Sequence, residues 1–219
     1  MRQFTGTRTV RLGDVGLRGL LRLDALARFL QDIAADDAAD VGLRDASWVV
    51  RRTVLTIDGR PRYGERISLA TSCGGLGSRW AERRTDVVGP TSRIEASSLW
   101  VHLDPAGRPA ALPERFLEAY AETAAGRTVS SRLTLAGPPE GAPSADWPLR
   151  PTDFDVLGHV NNAVSWAIVE DEPLLRGTAT LEYRTPIEPG ADVRLVADGD
   201  RRWLVSASGV HSAARLERS

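Results

Sequence analysis

The stretch Asp153-Phe154-Asp155-Val156-Leu157-Gly158-His159-Val160-Asn161-Asn162 gathers two acids, a glycine, a histidine and two asparagines into ten residues. A carboxylate and an imidazole four positions apart can act as a general base or hold a water, and the glycine between them lets backbone approach a ligand closely. Asn161 and Asn162 are good helix N-caps. Val164, Trp166, Ala167, Ile168 and Val169 then supply the apolar part of a helix expected over 161–172, with Pro173 as its stop. The polar cluster therefore meets a helix N-terminus, where free N–H groups and the dipole favour an anion or a polarised carbonyl oxygen. A base, a held water and donors for a developing oxyanion together describe acyl transfer.

The elements that must position this cluster can be read in order. Residues 4–12 alternate as a strand. Leu23, Leu26, Ala27, Leu30, Ile33, Ala34, Ala38 and Val41 recur at helical spacing up to Gly42, which predicts a long amphipathic helix over 23–41. Strand patterns follow at Trp48–Ile57, Arg66–Thr71, Trp80–Val88 and Ile94–Leu103, separated by turn residues such as Asp58-Gly59-Arg60-Pro61 and Gly89-Pro90. Glu114–Ala125 reads as a short connecting helix, and Ala136–Ser144 as a linker rich in proline and glycine. One helix followed by antiparallel strands is α+β.

The scheme recurs. Thr53-Val54-Leu55-Thr56-Ile57 with Gly64 matches Ala179-Thr180-Leu181-Glu182-Tyr183 with Gly190 at an offset of 126, and the two helices correspond at an offset near 138. Two helix-plus-sheet units in tandem imply a duplicated domain, with the boundary at 125/126.

Composition narrows the function classes. The chain has 219 residues, 42% of them hydrophobic, enough for a substantial core, and its net charge of −1 offers no bulk attraction to nucleic acid or membrane. All 28 basic residues are arginine, which excludes lysine nucleophiles and Schiff bases. The single cysteine, Cys73, excludes an intramolecular disulfide and reads as a small apolar residue. Three scattered histidines have no metal-ligand spacing, and phosphate-binding glycine loops and a GxSxG elbow are absent. No cofactor or metal is expected. Without a leader pattern or an apolar run of about 18 residues, a cytoplasmic location is expected.

The order of residues in 153–162 resembles the Asp-x-Asp-x-x-Gly-His-Val-Asn-Asn signature of hotdog-fold thioesterases. With Trp166, Glu170 and Leu181-Glu182-Tyr183-Arg184 behind it, and Leu26, Phe29-Leu30-Gln31-Asp32, Trp48, Gly64-Glu65 and Ala96–Val101 ahead of it, nearly the whole chain is similar to plant and bacterial acyl-ACP thioesterases. The resemblance implies a tandem (double) hotdog, 1–125 and 126–219, each unit a long central helix wrapped by an antiparallel sheet. It implies hydrolysis of a fatty or related acyl thioester on acyl carrier protein, with acyl-CoA hydrolysis and non-hydrolytic acyl binding as alternatives, and leaves open a homodimer of the double unit. It makes Asp155, His159 and Asn161 catalytic, and sets Gly158, Val160, Asn162 and Trp166 against the substrate.

Two departures bear on that site. Leu157 stands where the family usually has Asn, and Pro186, followed by Ile187, stands where a Glu is expected. Leucine offers no hydrogen bond and proline lacks even the backbone donor. Asp37 falls within the apolar stripe of the first helix at about 100° per residue, so it is the candidate for a replacement carboxylate, with Glu188 as the fallback.

Overall fold

In the computed structural model, described for residues 2–170 and 174–219, ten strands form one antiparallel sheet. The first half contributes β1 (Phe4–Thr9), α1 (Leu23–Asp40), β2 (Ser47–Asp58), β3 (Arg66–Leu76), β4 (Trp80–Val88), β5 (Arg93–Leu103) and α2 (Glu114–Ala124). The second contributes β6 (Ser144–Asp146), a 3-10 helix at Asn162–Val169, β7 (Arg176–Tyr183), β8 (Arg194–Asp198), β9 (Arg201–Ser206) and β10 (Gly209–Arg218). The α+β class and the first-half elements follow the sequence pattern closely.

Strand order is β1-β3-β4-β5-β2-β7-β10-β9-β8-β6. Read outward from the β2–β7 seam, each half has the same arrangement, and the seam itself carries the symmetry. Val54 pairs with Thr180, its own counterpart at the 126-residue offset. The halves are therefore joined edge to edge as one continuous sheet rather than standing as separate sheets.

The second helix differs from expectation. It is eight residues of 3-10 geometry, Asn162–Val169, instead of a long helix over 161–172, and its expected stop at Pro173 lies outside the described residues. The segment carries three β-branched residues, Val164, Ile168 and Val169, which gain little from α-helical geometry. Six of its eight residues are buried, so packing on nearly all sides sets its shape. α1 packs against it, and Leu26, Leu30, Ile33, Leu55, Trp166 and Leu181 belong to one core that spans both halves.

A second apolar cluster, with Cys73, Phe116 and Tyr120, lies under α2. Burial pushes the Cys73 thiol above its ordinary value, in keeping with a packing role. After Ala125, which is left-handed at φ 50°, the chain crosses the sheet as an extended strap. Arg127 and Val129 bond the Leu76 backbone, Arg52 reaches the Ser130 and Arg132 carbonyls, and the fully buried Glu182 accepts from the Thr134 and Leu135 N–H groups. No helix among the described residues is long and apolar enough to cross a membrane.

Candidate active site

The motif forms a tight hairpin ahead of the 3-10 helix. The Asp153 carboxylate accepts from Arg150 N–H at 2.8 Å, the Asp153 carbonyl accepts from Asn161 N–H at 2.8 Å, and Phe154 bridges to Val160. At the tip, Gly158 N–H donates to the Asp155 carbonyl at 3.0 Å and Asp155 N–H to the His159 carbonyl at 2.9 Å. Gly158 has φ +77°, a conformation that L side chains rarely adopt, so the turn requires it. Val156 and Leu157 project at the tip, 102% and 69% exposed.

The Asp155 carboxylate folds back, accepting from Leu157 N–H at 2.9 Å, with Asn161 Nδ2 at 3.5 Å from its other oxygen. The His159 ring has no hydrogen-bond partner among the described residues, so it is free to meet a ligand. Asn161 caps the 3-10 helix through Oδ1 to Ala163 N–H at 2.9 Å, and Val160 is anchored by its N–H to the Ile187 carbonyl at 2.9 Å.

Asp155, Leu157, His159, Val160 and Asn162 line a cleft of about 740 Å³. It opens where the seam ends: β2 pairs with β7 only from Arg52 to Asp58, so the earlier residues of β2 part from the end of β7. The lining also carries Ser165, Tyr183, Thr185 and His211, together with Arg51, Arg79 and Arg184. Burial pushes the Tyr183 phenol up, against a hydrogen bond from Trp166, so it stays a neutral donor at physiological pH. His211 is fixed by Thr185 Oγ1 at 3.1 Å and Ser206 Oγ at 2.8 Å. His211 belongs to no motif in the sequence. Its place in the wall follows from the irregular register between Val210 and Ser212, which no pattern in the chain marks.

Several of the expected participants do not line the cleft. Trp166 is 1% exposed within the shared core, beneath the cleft rather than lining it. Asp37 is buried as its helical position requires, but its carboxylate is occupied by Arg2 at 2.7 Å, Arg83 at 2.5 Å and the Tyr120 hydroxyl at 2.8 Å. Arg83 and Tyr120 border a separate first-half cavity of about 260 Å³, and Asp37 is absent from the lining of the cleft. Two guanidiniums and a phenol satisfy the buried charge, which gives Asp37 a structural role. Neither Gly158, at the exposed tip, nor Glu188 lines the cleft.

The first half holds a second copy of the hairpin. Gly19 N–H donates to the Gly16 carbonyl at 2.9 Å and Gly16 N–H to the Leu20 carbonyl at 3.0 Å, Val15 bridges to Leu21, and Gly19 has φ +68°. Leu21 N–H reaches the Pro61 carbonyl at 2.8 Å as Val160 N–H reaches Ile187. Here Gly16, Leu20 and Arg22 stand in the places of Asp155, His159 and Asn161. Behind this copy the buried Arg60 bonds the Leu21 carbonyl and pairs with Glu170 at 2.8 Å, and Glu170 also accepts from Leu23 N–H at the start of α1.

The acyl-ACP thioesterase N-terminal domain family matches residues 2–120. An uncharacterized protein of Mycobacterium tuberculosis H37Rv is 30% identical, with the alignment covering 94% of this chain and 88% of that protein. Among solved structures, an acyl-ACP thioesterase from Bacteroides thetaiotaomicron superposes with a TM-score of 0.82 at 18% identity, covering 98% of this chain and 96% of that one. The 12:0-ACP thioesterase from Umbellularia californica superposes with a TM-score of 0.78 at 21% identity, over 98% and 96%.

Proposed function

The chain belongs to the acyl-ACP thioesterase family and hydrolyses thioesters, and from that premise we propose that it releases a fatty or related acid from acyl carrier protein at the cleft lined by Asp155 and His159. The observation that carries this reading is the hairpin itself, which presents a partner-free imidazole and a carboxylate beside a helix start within a cleft of thioester-accommodating size. Water held by His159 attacks the carbonyl carbon as the imidazole takes its proton, Asp155 orients the hairpin and the water, and the developing oxyanion lies at the N-terminus of the 3-10 helix by Asn162. Its collapse breaks the C–S bond as the imidazolium returns the proton to the departing thiolate. The first half supports this use of the helix end. There the equivalent N–H, on Leu23, already holds a carboxylate oxygen of Glu170. With Leu157 and Pro186 offering no side-chain hydrogen bond, Ser165, Tyr183 and the His211–Thr185 pair supply polar groups of the wall besides its arginines.

The palindromic strand order and the 126-residue repeat support two fused hotdog units, 1–125 and 126–219, and we place the reaction in the cytoplasm. A hydrolysis screen against acyl-ACP and acyl-CoA of varied chain length tests the reading. Thiol release from acyl-ACP supports it. Turnover of acyl-CoA alone transfers the assignment to that carrier, and binding without turnover of any thioester removes the hydrolytic mechanism.

A further inference from the structure

The cleft carries more positive charge than ester hydrolysis requires. Among the described residues three arginines, Arg51, Arg79 and Arg184, line it against one acid, Asp155, in a chain whose charges otherwise nearly balance. Arg51 and Arg184 lie together: Arg51 Nη1 donates to the Arg184 carbonyl at 2.8 Å, and both burial and the Arg184 charge make the Arg51 cation harder to hold than usual. Arg184 donates to the Leu135 carbonyl, while its buried Nε has no partner among the described residues. The nearest carboxylate, Glu182, stands 3.9 Å from Arg184 and is occupied by the Thr134 and Leu135 N–H groups. Arg79 is exposed and its side chain has no partner among the described residues. Arg51 and Arg184 share the one Glu182 carboxylate, so the pair keeps an excess of positive charge and an unused donor that an anion in the cleft completes, and the planar fork of arginine fits a phosphate.

We propose that Arg51, Arg184 and Arg79 bind the phosphate of the substrate's phosphopantetheine arm, so that the arm enters past the strap and delivers its thioester to His159. This rests on the thioesterase reading. The phosphate is common to acyl-ACP and acyl-CoA, and the site takes it from either.

The test compares KM for acyl-pantetheine with KM for the same acyl group on 4′-phosphopantetheine. The wild type should favour the phosphorylated substrate by about tenfold or more, the usual range for a charge-assisted contact. In Arg51→Gln and Arg184→Gln that preference should fall toward unity, and in the exposed Arg79→Gln, which does not risk the fold, it should fall about threefold. Equal KM values in the wild type, or a preference that survives all three substitutions, overturns the proposal. If the variants weaken acyl-ACP but leave the phosphorylated small substrate unaffected, the arginines read the carrier's acidic surface and the phosphate site is wrong. If no thioester is hydrolysed, the enzymatic reading fails instead, and calorimetric titration with 4′-phosphopantetheine against pantetheine still decides the phosphate site: tighter binding of the phosphorylated form supports it, and equal binding refutes it.

Discussion

The hairpins at 11–22 and 150–161 share a backbone and an opening Arg and Asp, and differ in the side chains that follow. Their turn bonds, their bridges, their positive-φ glycines and their anchors to the facing loop correspond one for one. What separates them is Gly16 for Asp155, Leu20 for His159 and Arg22 for Asn161, together with the filling behind them. In the first half Arg60 stands where the second has Pro186, and its pair with Glu170 occupies the helix start that the second half leaves to Asn162. Backbone geometry thus makes a place for chemistry without supplying it. A fused pair of units can keep one site and rebuild the other as a structural joint, which an identical pair of chains cannot do.

The largest expected effects test that division. Asp155→Asn and His159→Ala should each reduce thioester hydrolysis by at least about 100-fold with folding intact, since both sit on a partly exposed hairpin. Near-native turnover by either would remove that residue from the mechanism. Conversely, adding Gly16→Asp and Leu20→His to a His159→Ala protein should restore nothing, because Arg60 and Glu170 fill the position; recovered activity would show the first-half copy to be an open site.

If the first half contributes structure alone, Asp37→Asn should lower stability by about 3 kcal/mol, the scale of breaking a buried ion pair, with kcat per folded molecule unchanged. Denaturant titration alongside kinetics separates the outcomes, and a drop in kcat at full folding would return Asp37 to the chemistry. Glu170→Gln should behave alike at about 2 kcal/mol, the value reduced because the Glu170 side chain is 20% exposed.

The glycines give a finer comparison. Gly19→Ala and Gly158→Ala each force an L side chain into positive φ with open space around it, at about 1 kcal/mol apiece. Equal losses in stability with impaired turnover only for Gly158→Ala is the expected pattern, and equal kinetics would break it.

The smallest effect concerns Asp24, partner of the arginine that replaces Asn161. Burial raises its carboxyl, but the Arg22 and Arg28 guanidiniums outweigh burial and hold it below the ordinary range. Such a group adds stability above its unfolded value, near 3.9, and loses it as pH falls through the lower folded value. Asp24→Asn should reduce stability at neutral pH by less than about 1 kcal/mol and flatten the acid decline. An unaltered acid limb would show the ion pair to be neutral in effect.

Much of this was legible in the chain. Period-2 runs located β2 to β5 within a few residues, helical spacing marked α1, and the 126-residue repeat anticipated the pair at the seam, because periodicity and turn residues are local signals. The first-half hairpin is not marked by the motif, because Gly16, Leu20 and Arg22 stand where Asp155, His159 and Asn161 would. The surviving marks, Asp14 and Gly19 at the same 139-residue offset from Asp153 and Gly158, are visible only once the backbone bonds are known. The inward position of Asp37 was also readable from the helical wheel. Its partners Arg2, Arg83 and Tyr120 are not, since they arrive from three distant segments.

The one-sided stretch of β2 has a consequence for motion. From Arg52 to Asp58 this strand is bonded on both flanks, whereas Ser47–Val50 is bonded to β5 alone, with Arg51 left out of the register between Val50 and Arg52. Opening the sheet there breaks one ladder instead of two. Amide protons of the early segment should therefore exchange through local fluctuations, while those of Thr53–Ile57 wait for global unfolding. The mouth of the cleft becomes the place where the sheet can breathe without the two halves unzipping.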